Sequence, residues 1–106
     1  MIIYEVNHLD IQAGIYEQYR VWLHKHIAEI LELPGFLMAD TFESRDMEGD
    51  SRSLDLCIHY YVKAGADLDR YLAVDAHRMR AEGKKLFPQG SRIYRRTLFP
   101  ATAIHE

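Results

Sequence analysis

Hydrophobic and polar positions alternate most regularly over Leu54-Asp-Leu-Cys-Ile-His-Tyr-Tyr-Val62, with Leu54, Leu56, Ile58, Tyr60 and Val62 on one side and Asp55, Cys57, His59 and Tyr61 on the other. A period of two is that of a β-strand, whose successive side chains point to opposite faces. The first side is wholly apolar and must be buried; the second mixes polar, aromatic and thiol groups and needs partial cover. Ile2 to Leu9 repeats the pattern in a β-branched-rich segment, with Ile2, Tyr4 and Val6 on one face and Ile3, Glu5 and Asn7 on the other. Then the period changes. Ile15, Tyr19, Trp22, Leu23, His26, Ile27, Ile30 and Leu31 recur at three- and four-residue steps, which predicts a helix over about 11–32 with Asp10 as its N-cap.

Pro34-Gly35 ends that helix, because proline disfavours helical backbone at Leu33 and glycine tolerates the positive φ of a sharp reversal. Phe36 to Glu43 reads as a second strand, with Phe36, Met38 and Phe42 on one face and Leu37, Ala39 and Thr41 on the other. The polar stretch 44–53 is expected to be a long, mobile hairpin loop. A second helix over about 66–82 turns Leu68, Tyr71, Leu72, Asp75, Ala76 and Met79 inward, with Gly83 as its stop. A connector containing Pro88 leads to a fourth strand over 92–99, and 100–106 is expected to be a tail.

The order βαββαβ specifies an α+β fold, the ferredoxin-like plait: one domain over 1–99, a four-stranded antiparallel sheet with both helices on one face. Strands one and three are then central. Two helices cover only one side of such a sheet. The simplest cover for the other side is a second copy, giving a homodimeric α+β barrel. Residues 40–55 hold six acids against two bases, and residues 78–96 seven bases against one acid. Either the acidic loop of one subunit steers onto the basic edge of the other, or both are solvated charge runs.

A net charge of −3 gives no basic excess for nucleic acid, and 48% apolar with 27% charged residues is the balance of a folded globular chain. The single Cys57 excludes an intrachain disulfide. With no signal-peptide pattern at the start and no apolar run of roughly 20 residues, a cytoplasmic protein without a membrane partner is expected. No metal or cofactor is expected either. His24 and His26 lie about 200° apart around a helix, no HxxxH or HExxH spacing occurs, and Cys57 reads as an inert buried thiol.

The polar residues that the strand pattern gathers are Glu5, Asn7, His59 and Tyr61, joined by Arg96 from the fourth strand. They form the candidate ligand pocket. His59 beside a carboxylate or tyrosine is the candidate general base for an acidic organic substrate. The competing account is a satisfied polar network that fixes the register of a dimer interface.

The stretches MIIYEVN (1–7), YRVWLHKHI (19–27), PGF (34–36), YLAVDAHRMRAEG (71–83) and RRTL (95–98) resemble a small bacterial family of unassigned function in the dimeric α+β-barrel superfamily. That superfamily also contains cofactor-independent antibiotic-biosynthesis monooxygenases and haem-degrading monooxygenases. The resemblance implies fold and dimer, and it transfers no catalytic residue. For the haem degraders it implies an Asn on strand one with a Trp and a His on helix two. Asn7 and His77 stand in comparable places, but Tyr71 replaces the Trp and lies six residues from His77, about 1.7 turns, so the two do not share a face. Were Asn7 to point into a pocket between sheet and helices, Ile3 and Glu5 would go with it and the mixed face would turn to the helices; the dimer-facing arrangement is the one expected here. The expected function is binding of a small organic ligand, with monooxygenase- or isomerase-like chemistry as the resemblance implies. The alternative is a non-catalytic interaction module docking on the basic edge formed by Arg92, Arg95, Arg96 and the end of the second helix.

Overall fold

The structure, a computed structural model, describes residues 1–44 and 53–102. The expected hairpin loop and the end of the expected tail fall on 45–52 and 103–106, outside the described residues. Strand β1 spans Ile2–Gln12, helix α1 Tyr16–Ile30, β2 Phe36–Ser44, β3 Ser53–Val62 and β4 Arg92–Leu98. Between β3 and β4 the chain forms α2 (Gly65–Arg70), a π-helical segment (Tyr71–Asp75) and α3 (Ala76–Leu86), all right-handed and continuous. The sheet order is β2-β3-β1-β4 and every pairing is antiparallel. This is the ferredoxin-like plait that the element order predicts.

Alternation decides which side of each strand the helices cover. Ile2, Tyr4 and Val6 of β1 and Leu56, Ile58, Tyr60 and Val62 of β3 are all buried, packed with Tyr19, Leu23, Ile27 and Ile30 of α1 and with Leu68, Tyr71 and Met79. Burying side chains of this size is worth about 1.5–3 kcal/mol each, so the apolar face of the central strands fixes the helix side.

Four local expectations are corrected. Asp10 does not cap a helix: it sits at φ 57° inside β1, where the pairing with β3 shifts between His8 and Ile11. Aspartate tolerates this left-handed conformation. Here its N–H donates to Asp55 Oδ1 at 2.9 Å and its Oδ2 accepts from Arg92 at 3.1 Å. The bulge carries β1 on to Gln12, and α1 starts only after a 3-10 turn at Ala13–Ile15.

A second bulge, between Phe36 and Met38, breaks the expected grouping in β2. Phe36 packs against Tyr60 and Tyr71 on the helix side, whereas Met38, Asp40 and Phe42 pair with Tyr61, His59 and Cys57 on the open side. The π segment adds a residue to its turn, and Leu72, expected inward, is 45% exposed. Gly83 does not stop the second helix, which continues to Leu86. It is instead where the two helices touch: a Cβ there would lie 2.5 Å from Trp22 Cη2. Gly35 does reverse the chain, at φ 83°.

Candidate functional site

The two faces of the sheet carry two separate groups of functional side chains. On the helix side, the even positions of β1 end in His8, which is buried. Its Nδ1 lies 2.6 Å from the Tyr19 hydroxyl, and that hydroxyl lies 2.7 Å from Ser91 Oγ. Burial pushes the His8 imidazole down to about 3, with His26 and Arg95 adding to the effect, so the ring is uncharged near neutrality. Burial also raises the Tyr19 phenol, against the Ser91 hydrogen bond, and it remains protonated.

These three groups stand on the wall of a cavity of about 250 Å³ between sheet and helices. Its volume is just under the usual ligand-site range of roughly 300–1,000 Å³. Aromatic rings flank it in two sets. Tyr4 packs with Tyr60 and with Tyr71, each at a centroid distance of 6.0 Å, and Tyr19 meets Phe87 and Trp22 at 5.0 and 5.8 Å. Burial lifts the Tyr71 phenol to about 12 and the Tyr60 phenol further.

Arg80, Lys84 and Arg95 add positive charge to the same wall, and no carboxylate lines it among the described residues. Arg80 donates to the Tyr4 hydroxyl at 2.9 Å. Burial, and after it the neighbouring Arg80, lower Arg95 from arginine's ordinary value, against the charge and hydrogen bonding of Tyr4 and the charge of Tyr71.

On the open side, the register sets Glu5 opposite His59 in β3 and Arg96 in β4. The carboxylate is buried. Its Oε2 lies 2.7 Å from His59 Nε2, and its Oε1 accepts from Arg96 Nε at 2.7 Å and Asn7 Nδ2 at 2.9 Å. The Arg96 hydrogen bond leads in holding the Glu5 carboxyl down to about 2. Cys57 lies beside this pair, its thiol raised by burial and by the Glu5 charge. Tyr61 joins a different partner, donating to Asp40 Oδ2 at 2.8 Å.

Glu5, Asn7, His59 and Arg96 therefore meet as the strand pattern places them, Tyr61 stands apart with Asp40, and none of the five lines the cavity. The cavity groups His8, Tyr19, Ser91, Arg80 and Arg95 were not gathered by sequence reasoning. The signal for His8 was present, since it continues the Tyr4, Val6 series. Ser91 and Arg80 come from distant segments and carry no such mark. The residues compared with the haem degraders do not converge: Asn7 is on the open face, His77 is exposed on α3, and Tyr71 alone lines the cavity.

Residues 1–100 match the family model described as a domain of unknown function, DUF4286. No curated protein matches. Among solved structures, a dimeric ferredoxin-like protein of unknown function from Jannaschia sp. CCS1 is 24% identical over 94% of this chain and 100% of its own, with TM-score 0.61. A mutant form of SnoaB, a cofactor-independent oxygenase from Streptomyces nogalater, is 15% identical over 99% of this chain and 98% of its own, with TM-score 0.67. The haem degrader MhuD from Mycobacterium tuberculosis is 12% identical over 97% and 99%, with TM-score 0.64. Likeness at these identities establishes the fold.

Proposed function

The chain belongs to the DUF4286 family of unknown function, and from that premise we propose that it binds a small ring-bodied organic anion in the cavity between sheet and helices, as a homodimer joined through the open sheet face. The observation that carries this reading is the charge of the wall: three cations, Arg80, Lys84 and Arg95, on an aromatic cavity without a carboxylate among the described residues. An enclosed apolar body with a few converging polar groups is the usual form of a small-molecule site. Here the polar groups select an acidic function such as a carboxylate, phenolate or enolate.

The same arrangement supports chemistry without a cofactor. Cations favour the deprotonated form of an acidic phenol or enol, which releases its proton to solvent on binding while His8 stays uncharged. Such an anion either regains a proton at another carbon, an isomerisation, or passes electrons to dioxygen. The second route is supported by the fold shared with SnoaB, a cofactor-independent oxygenase. The rival role as an interaction module has less support. Arg92 is engaged by Asp10 and Arg96 by Glu5, while Arg95 turns to the cavity, so the three arginines do not form one free basic strip.

A thermal-shift and calorimetric screen of one- and two-ring aromatic acids, quinols and haem tests the proposal. We expect aromatic acids to stabilise the protein and Arg95→Ala to weaken them about tenfold or more, in line with about 1.5–3 kcal/mol for a charged hydrogen bond. Binding of a neutral alcohol of the same ring should change little. Acid binding that ignores both Arg95→Ala and Arg80→Ala would place the ligand elsewhere.

A further inference from the structure

We propose that Glu5, Cys57 and His59 form a binding site for a divalent transition-metal ion of the zinc type on the open face of the sheet. Cys57 and His59 are two apart on β3, so both project to the same face, and Glu5 faces His59 across the β1–β3 ladder. Each offers one ligand atom, and the three atoms lie within 4.8 Å of one another. Zinc bonds of about 2.0–2.3 Å set tetrahedral ligand atoms roughly 3–4 Å apart, so a small rotation of the side chains brings all three to one ion. The ion replaces the 2.7 Å hydrogen bond between Glu5 Oε2 and His59 Nε2.

The other carboxylate oxygen is already fixed. Arg96 Nε and Asn7 Nδ2 both donate to Glu5 Oε1, which leaves Oε2 free to coordinate and orients it, as partners behind a metal ligand do. One thiolate and one imidazole select zinc, cobalt or copper over magnesium or calcium, which prefer oxygen alone. Three protein ligands leave a fourth position open to water or a ligand. The Cys57 proton leaves when the ion binds. Arg96 remains as the counter-charge that keeps Glu5 ionised. The site does not depend on the cavity on the other face, and in the proposed homodimer it lies within the sheet face that joins the two copies.

Reduced, metal-free protein titrated with Co²⁺ tests this. Because Cys57 is the sole cysteine, a thiolate-to-cobalt charge-transfer band in the near ultraviolet reports this site and no other. We expect the band to saturate at one equivalent, to vanish in Cys57→Ser, and to need at least tenfold more cobalt in His59→Gln and in Glu5→Gln. His77→Gln, an exposed change on α3, should titrate as the wild type does. Absence of the band at stoichiometric cobalt overturns the proposal, and so does a band whose midpoint is unmoved in both His59→Gln and Glu5→Gln, which means the thiol binds alone.

Discussion

Glu5 and His8 lie three residues apart on β1, project from opposite faces of the sheet, and make the fold sensitive to acid by different routes. Glu5 is held at about 2 against an ordinary 4.5. Its ion-pair contribution is therefore fully present above pH 4.5 and is lost as pH falls towards 2. His8 is held at about 3 against 6.5. Between those values the unfolded chain binds a proton that the folded chain refuses, so stability falls as pH drops from 6.5 to 3. His26, lowered by burial, acts in the same direction. Urea midpoints measured from pH 8 to 4 should decline below about 6.5, and His8→Gln should flatten that upper part of the curve. Glu5→Gln, which leaves the guanidinium of Arg96 and the imidazole of His59 without their carboxylate, should cost about 2 kcal/mol at pH 7. A His8→Gln profile that overlays the wild type would show that another group sets the acid limb. At this scale the sequence was readable along a strand and across one ladder: the alternation of β1 and β3 brings Glu5, Asn7 and His59 together. It does not reveal that Ser91 meets Tyr19, because such contacts depend on where a connector lands.

At the scale of elements, the predicted order and types hold, while single inserted residues move the details. Periodicity assumes a constant phase. The bulge at Asp10, the bulge before Met38 and the π turn each break it, and so Asp10, Phe36 and Leu72 depart from expectation. Gly83 departs from expectation for a related reason: glycine near a helix end resembles a stop, although here the missing side chain admits the Trp22 ring. Gly83→Ala should therefore destabilise the protein by about 1–3 kcal/mol, through overpacking that outweighs the roughly 1 kcal/mol gained in helix propensity. Gly65→Ala is the matched control. It meets open space and should be neutral or raise stability by up to about 1 kcal/mol. Equal denaturation midpoints for Gly83→Ala and wild type would mean that the two helices move apart freely.

Among the described residues, the sheet has one face covered by helices and one left open. Met38 and Phe42 are each 49% exposed and Tyr94 is 53% exposed, which is much apolar surface for a sheet face left to water. We expect sedimentation at micromolar concentration to show a dimer, and Met38→Asp together with Tyr94→Asp to raise its dissociation constant at least tenfold without lowering the thermal midpoint of the monomer. A wild-type monomer under those conditions would leave the open face unaccounted for. The ferredoxin-like plait was legible because its burial pattern is long and regular, whereas a second copy is inferred only from what one chain leaves uncovered. The extra residue in β1 ties these scales together. His8 and Ile11 are three apart yet both turn to the helices, because the bulge between them resets the strand's parity. Deleting a single residue from Leu9–Asp10 would exchange inside for outside along one end of the strand, sending either the cavity's imidazole or the core's isoleucine into the wrong compartment. Length variation in this chain should thus be far less tolerated at that bend than in any of its surface turns.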